Sequence, residues 1–176
     1  MKQTNEIDGW FNHQNAYDFL LDKVPPEGTF VELGAWLGKS SSYLCDKATA
    51  DKQIVIIDTW EGSPNELTTT HKLATEKDIY ELFVDNMGER KYKAIKATSK
   101  AAARKFKKES LDVVFIDLTH TYQAVKEDIA LWLPKVKKGG YLAGDDYHEN
   151  WPGVIQAVNE MLNGFTVIDD VFIFQK

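Results

Sequence analysis

The sequence predicts an open α/β sheet, mostly parallel, with helices on both faces, and three observations predict it. Short apolar runs rich in β-branched and aromatic residues alternate with stretches of helical length and spacing. Two of the runs, QIVIID and LDVVFID, are nearly continuous, as strands covered on both faces should be. A functional-looking polar group also follows each strand with a clean carboxyl end, where such a sheet binds its ligand.

In chain order, a helix over Asn15–Leu21 ends before Pro25-Pro26, so residues 1–28 are expected to form a helical cap or lid ahead of a domain spanning 29–176. Strand Thr29–Leu33 leads into helix Lys39–Thr49, and strand Gln53–Asp58 precedes helix Lys72–Met87. Tyr92–Ala97 (YKAIKA) alternates and reads as a strand nearer an edge, followed by helix Ser99–Phe106. Leu111–Asp117 precedes helix Gln123–Leu133, which Pro134 and Gly139-Gly140 stop. Gly140–Gly144 leads to helix Pro152–Leu162, whose proline suits a first turn. The terminal FTVIDDVFIFQK reads as two strands reversing at Asp169-Asp170, a poor pair for the type I′ turn that hairpins favour. Five strand–helix units with right-handed crossovers and a closing hairpin make about seven strands in three layers.

The 176 residues suit one domain, and 43% hydrophobic with 27% charged residues is a globular balance. The net charge of −6 repels phosphate backbones and anionic lipid, which argues against nucleic acid and membrane as primary partners. The basic stretch Arg104–Lys108 reads as a solvated helix end. Cys45 stands alone and reads as a small buried hydrophobe. The polar MKQTNEIDGW lacks a signal-like apolar run, and no stretch approaches 18 apolar residues, so a cytoplasmic location is expected. The apolar VFIF of the hairpin is a candidate for a homo-oligomer interface.

Glu32-Leu-Gly34-Ala35-Trp36-Leu-Gly38-Lys39-Ser40-Ser41 joins the first strand to the first sheet helix. A phosphate-cradling loop needs G-x-x-x-x-G-K-[ST], and GAWLGKS is one residue short. The dinucleotide pattern G-x-G-x-x-G fails because Trp36 fills its second glycine position, where an indole blocks a pyrophosphate. A cofactor without phosphate removes the objection. S-adenosylmethionine carries a cationic sulfonium and an amino group that Glu32 can serve, and a carboxylate that loop and helix amides can receive. Asp58 closes the second strand about 20 residues on, where an acid can accept both ribose hydroxyls. Thr59 follows it, Trp60 can pack on the adenine and Ser99 can close the adenine's polar edge. The competing readings are capping or turn roles for Glu32 and Ser99 and core packing for Trp60.

Asp117 closes the fourth strand and Asp145-Asp146 the fifth. On neighbouring strands they stand roughly 5 Å apart and repel by roughly 3 kcal/mol at an effective dielectric near 20. A cation between them makes sense of this, and oxygen ligands favour magnesium, manganese or calcium. Solvated turns are the alternative. His120 and His148 share this rim, and either imidazole can take a proton from a hydroxyl acceptor. His13 and His71 have no comparable setting.

The segments VELGAWLGKSSSYL, IIDTW, LDVVFIDLTHTYQAVKEDIALWLPKVKKGG, LAGDDY and WPGVIQAV, within residues 30–158, resemble class I S-adenosylmethionine-dependent methyltransferases. More narrowly they resemble the branch of macrocin-type sugar O-methyltransferases and cephalosporin-hydroxylase-like proteins. The resemblance implies a Rossmann-like sheet of seven strands with a reversed last strand. It implies that Glu32, Gly34, Asp58 and Ser99 line the cofactor pocket and that Asp117, Asp145 and Asp146 hold a divalent metal; Ala35, Trp36, Ser40, Ser41, Thr59, Trp60 and Asp117 complete the expected cofactor contacts. Related enzymes methylate hydroxyls of sugars, polyketide-like products and, more distantly, catechols. Two departures stand out: Leu118-Thr119 replace the family's glycine and acid, and Asp145-Asp146 stand where His-Asp is common. The expected activity is metal-assisted O-methylation of a small hydroxylated acceptor, with His13–Leu21 and the Trp60–Thr70 loop as lid. The alternatives are an N- or O-methyltransferase using a histidine alone, a binding protein retaining the fold, and a nucleoside-triphosphate site.

Overall fold

In the computed structural model, which describes residues 2–63, 69 and 71–176, the strands are β1 (Thr29–Leu33), β2 (Gln53–Asp58), β3 (Lys93–Lys96), β4 (Leu111–Ile116), β5 (Val136–Gly144), β6 (Thr166–Ile168) and β7 (Val171–Gln175). The helices are α1 (Gln14–Lys23), α2 (Lys39–Lys47), α3 (Ile79–Met87), α4 (Ser99–Ala103), α5 (Tyr122–Trp132) and α6 (Pro152–Met161). The strands form one sheet in the order β3-β2-β1-β4-β5-β7-β6. β1 to β5 pair in parallel, and β7 runs antiparallel to β5 and to β6.

Side chains alternate along each strand, so a strand covered on both faces feeds two cores. β4 is buried at every position. Its Val113 and Phe115 join Phe30, Ile54 and Ile56 under Leu20 of α1, Leu44 of α2 and Phe83 of α3. Its Val114 and Ile116 join Val31, Leu33 and Val55 under Ala102 of α4, Ile129 and Trp132 of α5 and Val158 of α6. α1 buries Ala16, Tyr17, Leu20 and Leu21, so the amino-terminal helix is a structural part of the first layer. Among the described residues, no helix is long and apolar enough to cross a membrane.

Three elements differ from expectation. The stretch 72–87 is a 3₁₀ turn at Lys72–Thr75 and then α3, because the Asp78 side chain accepts the amides of Tyr80 (2.9 Å) and Glu81 (3.2 Å) and starts a new helix there. α4 stops at Ala103, where the chain passes into tighter turns closed by Lys105 N to Ala102 O and Phe106 N to Ala103 O. β5 begins at Val136, whose partner is Leu111, with a register shift before Val113–Tyr141. The hairpin also turns more cleanly than its residues promise. Asp169 and Asp170 both take left-handed backbone (φ 51° and 61°), as a type I′ turn requires. Asp169 is held by the Asn15 amide (2.9 Å) and side chain (3.1 Å) at the start of α1. The apolar residues of VFIF lie inward: Val171, Phe172 and Ile173 are buried in the two cores.

Crossovers from β1 run toward β2 and β3 on one side, and those of β4 toward β5 on the other. The order reverses between β1 and β4, and ligands of such sheets bind beyond the carboxyl ends of that pair. The basic stretch 104–108 enters β4 at its amino end, on the opposite edge.

Candidate functional site

The loop from β1 to α2 is pinned from several sides. Gly34 N donates to Ile57 O (2.9 Å), and the amides of Ala35 and Trp36 donate to Asp58 Oδ2 (2.8 and 3.0 Å). Asp58 Oδ1 accepts a third amide, from Trp60 (2.8 Å). Gly34 has φ +90°, and a Cβ there would stand 1.6 Å from the carbonyl oxygen of Asp117, so only glycine lets the ends of β1 and β4 touch. Trp36 and Trp60 both hold left-handed backbone (φ 47° and 55°), a strained conformation that their hydrogen bonds to Asp58 maintain.

These bonds alter the role expected of Asp58. A carboxylate has about four lone-pair positions; three are taken by amides, leaving one for a ribose hydroxyl in place of the expected two. Glu32 is fully buried instead of open to the crevice. Tyr17 donates to it at 2.7 Å, Ser41 donates to its other oxygen, and Ser40 also bonds to it. Desolvation raises the Glu32 pKa, and these hydroxyls pull it back down. Glu32, Ser40 and Ser41 thus fasten α1 and α2 to β1.

Ser99 opens α4 with its hydroxyl donating to Asp128 and accepting from the Trp132 indole (2.8 Å), which ties α4 to α5 in place of reaching an adenine edge. Trp60 is buried against Tyr80 and Phe83, with ring centroids 4.6 and 4.9 Å away. Thr59 Oγ1 accepts the Glu61 amide (3.3 Å). Of the expected lid loop, Pro64 and Asn65 lie outside the described residues. Beyond it, His71 Nδ1 accepts the Ser63 amide (3.1 Å) and its ring packs on Trp36 at 4.3 Å. Burial pushes the Cys45 thiol up to about 12, so it is an inert packing group.

The acidic rim forms where β4 and β5 end side by side, Ile116 pairing with Gly144. His120 Nε2 lies 2.9 Å from Asp146 Oδ2 and 3.4 Å from Asp117 Oδ1. One ligand atom from each of Asp117, His120 and Asp146 falls within 4.8 Å of the others. Asp146 takes left-handed backbone (φ 61°), which breaks the extended course of β5 just beyond its end. Its carboxylate meets His120, while that of Asp145 meets His13, whose Nδ1 is 3.0 Å from Asp145 Oδ2 but outside hydrogen-bond alignment. Of the three aspartates expected at a metal, two converge with an imidazole and the third is paired with another.

The electrostatics follow. Burial opposes protonation of His120, but the hydrogen bonds and charges of Asp117 and Asp146 outweigh it and raise the pKa to about 10. Desolvation raises Asp117, the His120 bond lowers it, and the charge of Asp145 raises it again, for a net upward shift. His13 is raised too: its contact with Asp145 and the charges of Asp117 and Glu32 overcome its burial. His148 stands apart from this cluster, its Nδ1 accepting the Asn150 amide (3.1 Å) at the turn before α6.

His13 is the residue that the sequence reading passed over. It immediately precedes α1, is 1% exposed and stacks on Phe115 at 5.2 Å. No local pattern marks it, since both contacts are long-range. His120 carried a local signal, the D-x-x-H spacing from Asp117, which suits a shared ligand as well as a base.

Two carboxylates and an imidazole, each partly exposed, fit a divalent cation of the magnesium or manganese kind. Beside them, the β2 acid, the glycine-hinged loop and the switch point fit a nucleoside-bearing cofactor through the one acceptor position that Asp58 retains.

Residues 31–147 match the family described as "Methyltransferase domain". An uncharacterized protein of Acanthamoeba polyphaga mimivirus is 44% identical over 54 residues, 30% of this chain; the match spans 24% of that protein's length. Among solved structures, a TDP-rhamnose 3′-O-methyltransferase of calicheamicin biosynthesis is similar with a TM-score of 0.59 and 15% identity, covering 92% of this chain and 76% of that one. An rRNA methylase from Streptococcus thermophilus is similar with a TM-score of 0.60 and 16% identity, covering 95% and 97%. At these identities the likeness is one of fold.

Proposed function

The chain belongs to this methyltransferase-domain family, of the S-adenosylmethionine-dependent class, and from that premise we propose that it methylates a hydroxyl of a small molecule with the help of a divalent cation at the acidic rim. The observation that carries the proposal is the convergence of Asp117, His120 and Asp146 within 4.8 Å, against the loop that Gly34 presses onto β4. Asp117, His120 and Asp146 would hold the cation, which supplies positive charge beside the acceptor oxygen and so eases loss of its proton.

The chain's own residues account for the rest. Asp58 holds the first loop in shape and offers its remaining lone pair to a ribose hydroxyl. Gly34 places that loop in contact with Asp117, so methyl donor and acceptor oxygen share one short crevice, where alignment does most of the catalytic work. The rim carboxylates stabilise positive charge and repel anionic acceptors. With the net charge of −6 this favours a small neutral acceptor over an RNA backbone, although two structural neighbours carry an rRNA-methylase description.

A second reading, an imidazole acting without metal, is favoured by the 2.9 Å contact between His120 and Asp146, the geometry of a carboxylate-oriented base. In this reading Nε2 is the nitrogen held by the carboxylate and Nδ1 the one that accepts the proton, whereas ligation would use Nε2, so one test separates them. Titration with S-adenosylhomocysteine should give binding with or without magnesium. Methyl transfer to sugar and catechol acceptors should stop on chelation and return with magnesium. Turnover that survives chelation removes the cation and leaves the imidazole.

A further inference from the structure

Among the described residues, four large hydrophobic side chains are exposed: Trp10, Val84, Trp151 and Val167. Of these, Trp151 packs on the acidic cluster, its ring centroid 4.5 Å from that of His120 at an interplanar angle of 47°. With the rim taken as the transfer site proposed above, on which this step rests, we infer that Trp151 is the platform for the acceptor. The acceptor presents to it the face of a neutral ring, aromatic or pyranose.

The indole stands on a backbone with little freedom. Trp151 N donates to His148 O (2.8 Å), its carbonyl accepts the Val154 amide (2.9 Å), and Pro152 follows at the first turn of α6. A Cβ on Gly153 would stand 2.7 Å from Tyr122 N and 3.2 Å from His120 O, so the start of α6 lies directly against the segment that carries His120. The backbone that carries the indole is therefore held beside the segment of His120, the two rings are in contact, and 37% of the residue remains open to solvent.

That arrangement selects an acceptor by two criteria at once. A hydroxyl delivered to Asp117, His120 and Asp146 places the body of its molecule within one ring width of Trp151. An indole face gains by covering flat aromatic carbon or the C–H face of a sugar, and gains little from a flexible chain. With one divalent cation bound, the three carboxylates Asp117, Asp145 and Asp146 leave the rim one negative charge in excess when the imidazoles are neutral, which weakly disfavours a phosphorylated or carboxylated acceptor near the transferred methyl. A neutral ring with a hydroxyl on its rim satisfies both.

The test uses the full chain saturated with S-adenosylhomocysteine and magnesium, titrated with catechol and with methyl α-rhamnopyranoside. At least one probe binds the wild type. Trp151→Ala weakens that probe about tenfold, and Trp151→Phe keeps it within about threefold, while both variants bind magnesium as the wild type does. In turnover the loss falls on KM with kcat retained. Unchanged probe binding in Trp151→Ala overturns the inference. So does failure of both probes while S-adenosylhomocysteine and magnesium bind, or Trp151-dependent binding of a single-stranded oligoribonucleotide in their place. Failure of the wild type to bind magnesium removes the cation of the proposed function but not the rim imidazole, and the same comparison of probes then decides the platform.

Discussion

β4 carries an aspartate near each end, and the two live in opposite surroundings. Asp112, at the amino end, accepts the Thr29 amide at 2.8 Å and both oxygens meet Lys137 Nζ at 2.8 and 2.9 Å. Asp117, at the carboxyl end, has no lysine or arginine paired with it among the described residues; it faces Asp145 and shares His120 with Asp146. One acid is neutralised where it stands and serves the sheet. The other is held among like charges, an arrangement that costs stability and is retained where charge is to be used. The same strand thus separates structure from chemistry along its length.

The largest expected effect lies at the chemical end. Asp117→Asn should lower kcat/KM by about 100-fold or more and abolish magnesium binding by calorimetry, while leaving the denaturation midpoint unchanged or higher. A variant that loses fold and activity together would erase the contrast with Asp112.

A third acid sharpens the comparison, because its one side-chain partner is a neutral hydroxyl and the nearby charge of Glu127 adds only a smaller upward push. Asp128 is buried with the Ser99 hydroxyl as partner, and burial, partly offset by that bond, raises its pKa to about 6. Its folded value lies above the unfolded one, so between them the folded state holds the proton more tightly. Its contribution is therefore most favourable below about pH 4 and is lost as pH rises through about 6, a swing of about 3 kcal/mol. Urea denaturation across that range should show this slope, and Asp128→Asn should flatten it.

The smallest effect is at the structural end. Asp112→Ala removes a bond to a backbone amide and a partly buried ion pair, and should cost about 2 kcal/mol. Methyl transfer should be unchanged once the protein is folded. A loss of kcat there would mean that the two ends of β4 are coupled.

What the sequence made legible follows the same division. The ends of β2, β4 and β5 could be read because a run of buried apolar residues stops at an acid, and that of β1 because it stops at Gly34, one-dimensional signals both. Asp117 and Asp146 were found that way, and β4 and β5 do lie side by side. The partners of Asp145 and Ser99 could not be read. Which way a side chain turns from a strand or helix end depends on what packs against it, and His13, Asp128 and Trp132 arrive from distant segments. The break at Asp78 was readable in principle, since Asp78 and Glu81 have the D-x-x-E spacing of a helix start. The left-handed aspartates of the hairpin were not readable from propensity alone, because Asp169 is held there by Asn15.

The contact between Gly34 and the Asp117 carbonyl has one more consequence. With no room for even a methyl group between them, the loop after β1 and the acidic end of β4 form a single packed piece. On the proposed function, change in acceptor preference would fall on what surrounds that piece and the cation ligands, residues 118–119, 121 and 147–151, where side chains can be exchanged without displacing the donor. A lineage adapting to a new acceptor can rebuild that fringe freely, while position 34 admits no alternative to glycine.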